Sequence, residues 1–313
     1  MYSFKLAKIN KEIIHYVGKE RYLFLLTKKA DNILILFSSG ELLCDVGLYT
    51  SNIDDIDNKK TGYIGTIHPI KEIDSNDKKM LIHLAITYMK NSKIEKIIAP
   101  LDRDTWSSYR TKTKTYLNKP FYGEPIEDTS KEYEALKFKP KYNYFSTLSE
   151  IKYIPEIDIP NITFRHITEE TIEKDLEKIY ELSIEEFKDN LFAGSINKNI
   201  FMKQYLKMFS LLQPIVCVAE HNNEIIGFML GFDGNNCFRD KQCFVMKTIA
   251  VKKEFRGQKI GNELFKRVVN KAEKQNYTHI IGALIYQDNI SKNLVKHYDE
   301  EIVSEYVLLE KDV

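Results

Sequence analysis

Along residues 162–313 apolar positions recur with two periods, one of strands and one of helices. Residues 162–167 (ITFRHI) alternate, the pattern of a half-buried strand. Leu176, Ile179, Tyr180, Ser183 and Phe187 then fall at helical spacing and predict a helix over 172–188. A second helix is predicted over 200–212, stopped before Pro214. Strands over 215–220 and 224–232 flank His221-Asn222-Asn223, a hairpin signal. Residues 244–251 read as another strand and 257–275 as a long helix, with Ile260, Leu264 and Val268 each four apart. A strand over 279–286, a helix over 290–298 and a strand over 302–310 close the chain.

The first half reads as strands over 22–27 and 32–37 in a hairpin, followed by 42–48 and 62–69. Leu81, Leu84, Ala85 and Tyr88 mark a helix ending near Asn91. A strand over 94–99, a short helix over 132–136 and a strand over 141–148 follow. That tail repeats the β-α-β-α-β order of the second half, so an internal duplication with a worn first copy is expected. Between the halves, IKYIPEIDIPN carries Pro155 and Pro160. Proline fixes its own φ and restricts its predecessor, so this stretch reads as an extended connector. The expected organisation is a domain over 1–150, a linker over 151–161 and a domain over 162–313. Both domains are of α/β class, with a mixed, largely antiparallel sheet flanked by helices.

Composition narrows the partners. Hydrophobic residues make up 43% of the 313 and charged residues 29%, which excludes wholesale disorder. Lys and Arg number 46 against 45 Asp and Glu, for a net charge of +1. Residues 1–150 carry 24 basic and 20 acidic side chains, so neither half has the basic excess that a nucleic acid or anionic membrane partner requires. The longest apolar stretch, residues 22–37, is interrupted by Lys28, Lys29, Asp31 and Asn32. No apolar run near the N-terminus reads as a signal peptide, and a cytoplasmic protein without membrane association is expected. Cys44, Cys217, Cys237 and Cys243 have no metal-ligand spacing, so free thiols and no metal are expected.

Chemistry concentrates in KTIAVKKEFRGQKIGNELF, residues 247–265. An apolar strand ends at Val251, and Arg256-Gly257-Gln258-Lys259-Ile260-Gly261 opens the long helix. Unpaired N–H groups and the dipole at a helix start attract an anion. Gly257 and Gly261 admit close backbone approach, and Arg256 and Lys259 add positive charge.

These residues resemble the pyrophosphate motif Q/R-x-x-G-x-G/A of the GNAT (GCN5-related N-acetyltransferase) superfamily. Lys259 stands where that motif usually has its middle glycine. Asp288-Asn289-Ile290-Ser291 and Leu294 resemble the family's N-x-S-x-x-L-Y segment, and IVSEYVLLEK its last strand. The resemblance covers about residues 160–313. It implies acetyl-CoA as co-substrate, held by Ile249, Ala250, Val251, Arg256, Gly257, Gln258, Lys259, Ile260, Gly261 and Asn289. The first half lacks such a loop: HPIKEIDSNDKKM brings Glu72, Asp74 and Asp77, which oppose phosphate.

The resemblance also implies direct transfer of acetyl to a primary amine, of a small molecule or a peptide, in a ternary complex. The family's usual tyrosine after the motif leucine is Val295 here, which leaves Tyr298, one turn on, as candidate acid beside Asn289. The family's carboxylate on the strand before the loop is matched by Lys247, which cannot act as that base. For the acceptor, the loop over 189–197 with Phe192 is one candidate. Trp106 and Tyr109, in a first-half stretch similar to that of tandem GNAT-like proteins, are others, or else they pack a seam. Two alternatives stand beside acetyl transfer: a non-catalytic CoA-binding sensor, and a tandem GNAT-like aminoacyl transferase.

Overall fold

Strand pairing regroups the chain across its sequence halves. The structure, a computed structural model, describes residues 2–126, 128–288 and 300–313. One compact unit comprises Met1–Thr113, Pro125–Asn143 and Tyr306–Val313; the other comprises Lys114–Glu124 and Tyr144–Glu305. The units therefore differ from the contiguous stretches 1–150 and 162–313. Each sheet is completed by a strand from the far end of the other half.

The elements in chain order are β1 (Tyr2–Lys8), α1 (Ile14–Thr27), β2 (Asn32–Ser38), β3 (Glu41–Tyr49), β4 (Thr61–Ile64), β5 (His68–Pro69) and α2 (Ser75–Asn91). Then come β6 (Lys96–Ala99), β7 (Thr111–Thr115), α3 (Ser130–Ala135) and β8 (Lys139–Glu150). The second half adds β9 (Thr163–His166), α4 (Ile172–Phe187), α5 (Lys198–Leu212), β10 (Ile215–His221), β11 (Glu224–Asp233) and β12 (Cys243–Val251). It closes with α6 (Ile260–Lys274), β13 (His279–Tyr286) and β14 (Glu301–Asp312).

In the first unit β1, β2, β3 and β4 pair antiparallel in that order, and β4 runs parallel to β6. The next strand is the end of β14, with Leu309 opposite Ala99 and Asp312 opposite Lys96. Leu34, Leu36, Val46 and Leu48 of the sheet meet Leu81, Ala85 and Met89 of α2, together with Val307 and Leu309. Fully burying such a side chain is worth about 1.5–3 kcal/mol.

Residues 22–27, expected as a strand, are helical. The helix is broken at Gly18 (φ 81°, ψ 165°), so no clean helical stripe is written in the sequence. What holds it is non-local: Arg21 pairs with the buried Asp45 at 2.8 Å, and Leu25 is fully buried. The stretch 62–69 is two short strands, and Tyr2–Lys8 forms a further, largely exposed strand, β1.

In the second unit the order is β9, β10, β11, β12, β13 and then the end of β8, where Glu150 faces His279 and Tyr144 faces Tyr286. Every pairing is antiparallel except β12 with β13. Phe244 and Met246 of β12 pack with Ile260, Leu264 and Val268 of α6. Residues 151–161 form no helix or strand but are pinned to α6. Asn270 accepts from the Ile154 N–H and donates back to its carbonyl, and Glu263 accepts from the Ile157 N–H at 2.8 Å. That use explains two polar side chains, Glu263 and Asn270, buried in an otherwise apolar helix face.

Candidate functional site

The parallel register of β12 and β13 ends at Met246 opposite Gly282, yet the strands run on to Val251 and Tyr286. Beyond that point β12 stays paired with β11, from Thr248 opposite Leu230 to Val251 opposite Gly227, and β13 stays paired with β8. Among the described residues no strand pairs with 247–251 on the β13 side. Ile249, Ala250 and Val251 lie in this stretch, paired with β11 on one side, and the Val251 carbonyl accepts from the Arg256 guanidinium.

The turn after β12 leads into α6. Gly257 has φ 81°, and an added Cβ there would meet nothing within 4 Å. Lys259, the N-cap of α6, is left-handed at φ 65° and ψ 5° and gives the helix no side-chain cap. Ile260 is buried in the core, whereas Gly257, Gln258 and Lys259 are exposed. A Cβ on Gly261 would stand 3.5 Å from Ile249 Cδ1, an ordinary contact, so this glycine sits over the strand end. The N-cap side chain of α6 thus makes no capping hydrogen bond, and the one acidic residue of the first turn, Glu263, is turned to the Ile157 N–H.

The helix at the matching place in the first unit is the opposite. At the start of α2, Asp74 accepts from the N–H groups of Asn76 and Asp77, and Asp77 accepts in return from the Asp74 N–H. Two carboxylates satisfy donors that a phosphate would otherwise use. The opening between β4 and β6 is also closed from within. After Tyr63 opposite Ile98, the Leu101 N–H donates to Ile64 O at 2.8 Å. The buried Asp102 then accepts from the Thr66 N–H at 3.2 Å and from Tyr49 OH at 3.1 Å. Asp104 pairs with Lys28 at 2.7 Å and takes the Trp106 N–H, while the Arg110 guanidinium lies 4.0 Å from the Tyr109 ring. Trp106 and Tyr109 belong to this first unit.

Arg256 was expected to supply charge to the phosphates. Instead its Nε donates to Val251 O at 3.1 Å, and its Nη2 sits 2.6 Å from Glu186 Oε2. Glu186 Oε1 also accepts the Lys253 N–H at 3.1 Å. Glu186, in the last turn of α4, therefore clasps the turn from both ends. Sequence reasoning passed over it, because nothing local distinguishes it from Glu185.

On the face that α4 covers, the β12–β11 register slips: Leu230 faces Thr248 but Gly231 faces Met246, so Lys247 is the extra residue of a bulge. Lys247 is exposed, and its Nζ lies over Gly123. Beside Gly123, Tyr122 stands edge-on to Phe232 with centroids 6.0 Å apart. From the helices, Phe201 stacks on Tyr205 at 4.1 Å and meets Tyr180 edge-on at 5.2 Å. Burial, and then the nearby Tyr122 phenol, pushes the Tyr205 hydroxyl up to about 12. Phe192 follows α4 with φ 55°. Asn289 and Tyr298 lie outside the described residues.

All four cysteines are buried, and burial pushes the Cys217 thiol up to about 12. Among the described residues no group of His, Cys, Asp and Glu could hold a metal ion, and no helix is long and apolar enough to cross a membrane.

Residues 176–296 match the family described as Acetyltransferase (GNAT) family. A GCN5-related N-acetyltransferase from Anabaena variabilis superposes with a TM-score of 0.56 at 9% identity, over 99% of this chain and 73% of that one. A tandem GNAT protein from the clavulanic acid biosynthesis pathway gives 0.50 at 10% identity, over 100% and 98%. The chain has a tandem GNAT-like fold. A further match, with a TM-score of 0.50 and 12% identity, is to a GCN5-related glucosamine N-acetyltransferase region in a fungal multi-domain GH3 β-N-acetylglucosaminidase; this chain spans 38% of that protein. No curated protein matches the sequence. The tandem GNAT-like fold is one that carries acyltransferases, and the open strand and uncapped helix of this protein lie within the matched segment.

Proposed function

We propose that this tandem GNAT-like protein moves an acetyl group from acetyl-CoA to a primary amine by direct transfer in a ternary complex. The observation that carries the reading is the contrast between two helix starts, α6 without a side-chain cap and α2 closed by Asp74 and Asp77. One chain then offers one pyrophosphate site. The N–H groups from Gly257 to Gly261 would hold the pyrophosphate, with the Lys259 ammonium beside them. Backbone groups of Ile249–Val251 would hold the pantetheine arm and polarise the thioester carbonyl.

The acceptor nitrogen attacks that carbonyl, the C–N bond forms and the C–S bond breaks. The amine loses a proton to water, and the departing thiolate takes one up, with Tyr298 as the proposed donor and Asn289 as a second ligand of the arm. Direct transfer fits the four cysteines, all of which are buried away from an incoming thioester. Positioning of the two substrates supplies much of the rate. The acceptor is a small molecule or peptide amine of a protein expected in the cytoplasm.

Calorimetric titration of the full chain with CoA is expected to give one site. Acetyl-CoA with a pool of amines is expected to give products 42 Da heavier, about the mass of one acetyl group replacing a proton. Two equivalent CoA sites would refute the assignment of α6 alone. CoA binding without any acetylated amine would favour the sensor reading, for which Lys247 in place of a carboxylate base is the supporting feature.

A further inference from the structure

We propose that β1 is a self-pairing edge, along which two copies of this chain join antiparallel with Phe4 opposite Phe4 of the second copy at a two-fold axis. The pairing does not depend on the acetyl-transfer reading.

The strand pairs with β2 over its full length, from Tyr2 opposite Ser38 to Lys8 opposite Asn32. Among the described residues no strand pairs with its outer edge. Alternate residues of such an edge present an N–H and a C=O with no strand partner. Native edges are blunted by proline, by bulges or by charges, lysine above all. β1 has no proline, and its register with β2 has no slip. Lys5 is held down on the α1 side, where its Nζ donates to Tyr16 OH at 2.7 Å and lies 4.0 Å from the ring centre.

The other face of β1 is apolar. Phe4 and Leu6 stand opposite Leu36 and Leu34, which pack in the core beneath α2. Opposite residues share a face, so Tyr2, Phe4, Leu6 and Lys8 all lie on the α2 side. At one end Tyr2 OH donates to Asp77 Oδ1 at 2.6 Å; at the other Asn32, opposite Lys8, donates to Tyr88 OH. Between those ties α2 leaves the strand open: Tyr2 is 43% exposed, Phe4 58% and Leu6 44%, with Met80, one turn on from Asp77, at 38%. At about 200 Å² for a side chain of this size, the four expose roughly 350 Å² in each copy. With the paired backbones and flanking side chains, two copies would bury roughly 1,000 Å², the lower bound of a specific interface. A reversible dimer with a micromolar Kd is the expected result.

Sequence chooses the register. With Phe4 on the axis, two phenyl rings meet directly across the strands, Tyr2 faces Leu6 and Ser3 faces Lys5, all favourable or neutral pairs. Moving the axis to Lys5 sets two ammonium groups opposite each other, and moving it to Ser3 shortens the overlap to residues 2–4. Charge supports the antiparallel sense. Lys8 is exposed and its ammonium pairs with no described residue, while Asp74 and Asp77 lie at the Tyr2 end of the strand. In the antiparallel pair Lys8 of each copy is the diagonal neighbour of Tyr2 of the other, within reach of that acidic end. A parallel pair would set lysine beside lysine and aspartate beside aspartate.

Sedimentation of the full chain from about 1 to 500 µM should show a reversible equilibrium between 36.7 kDa and twice that mass. Phe4→Lys puts like charges on the axis and should weaken the dimer at least tenfold, with an unchanged thermal transition because Phe4 is mostly exposed. Lys8→Glu should weaken it about threefold. Cysteine variants read the register, against a background of four buried native thiols. Residues directly opposite have Cα atoms about 4.5–5.5 Å apart, within disulfide reach. Oxidised glutathione should therefore link Phe4→Cys to itself, two thiols becoming one disulfide as one glutathione disulfide is reduced. Leu6→Cys should link to Tyr2→Cys but not to itself, because its two copies stand about 13 Å apart along the strands. A chain that stays monomeric at every concentration overturns self-pairing and leaves the edge to a strand of a different protein. A dimer unmoved by Phe4→Lys, Leu6→Cys linking to itself as readily as Phe4→Cys, or growth into open assemblies overturns the two-fold pairing of β1.

Discussion

Lys259 keeps a left-handed backbone, φ 65°, at a position where glycine would be unstrained. An L-residue there costs roughly 1–2 kcal/mol, and its exposed ammonium returns at most about 1 kcal/mol toward a bound phosphate. Lys259→Gly should therefore raise the stability of the ligand-free protein by about 1 kcal/mol and weaken CoA by about fivefold or less, with the loss shrinking as salt rises. Denaturant melts and calorimetry at two salt concentrations check both halves, and unchanged or tighter CoA binding would refute a phosphate role. His166 gives a pH signature from the fold rather than the site. Burial, and then the nearby Lys271 charge, lowers its pKa from 6.5 to about 4, with Nδ1 3.2 Å from Val216 O. The unfolded chain binds the proton more readily, so this stabilisation is complete above pH 6.5 and is lost as pH falls toward about 4. Because the ring is partly exposed, the loss stays below about 3 kcal/mol. Unfolding free energies at pH 7 and 5 should differ less in His166→Gln than in wild type; equal differences would remove His166 as the cause.

At the scale of elements, α4 and the turn before α6 act as one piece through Glu186. Its side chain is 6% exposed and binds both Arg256 and the Lys253 N–H, so the turn is fixed before any phosphate arrives. Glu186→Ala should loosen residues 253–256 and weaken CoA by about fivefold, the worth of one partly exposed charged contact. Glu186→Gln keeps an acceptor for Lys253 and should fall between. Tighter CoA binding in the alanine variant would mean that Arg256, once released, serves the phosphate better, and would sink the clasp. Glu186 was not legible in the sequence, because its partners lie 67 and 70 residues away. The helix it helps to start was legible: Ile260, Leu264 and Val268 keep one periodic face, and all three are buried. The same logic explains the first-half error. Residues 22–27 are apolar without a period, and their helix depends on Arg21 reaching Asp45 across 24 residues. The acidic start of α2 could be read as hostile to phosphate, but its reciprocal cap shows how the donors are closed rather than merely repelled.

At the scale of the whole molecule, sequence order is a poor guide to where it can be divided. The duplication reads as two successive copies, and each copy looks complete because it ends in its own strand. Register decides otherwise. The edge of β13 is covered by residues 144–150, from Glu150 opposite His279 to Tyr144 opposite Tyr286. There Ser146 Oγ takes the Leu284 N–H at 3.0 Å. In the first unit β6 is covered by the end of β14, with Leu309, Glu310, Lys311 and Asp312 in register. A fragment of residues 162–313 would keep the α6 loop yet leave one edge of β13 bare, with each unpaired backbone group costing about 1–3 kcal/mol where it stays buried. That approaches the whole stability of a domain this size, about 5–15 kcal/mol. It would also lose the pins from Ile154 and Ile157 to Asn270 and Glu263. Fragment 162–313 should therefore melt broadly and bind CoA weakly, whereas a fragment starting at residue 144 should recover a cooperative transition. Thermal melts of the two, beside the full chain, decide it. A sharp transition for 162–313 at the temperature of the full chain would show that the borrowed strand contributes nothing.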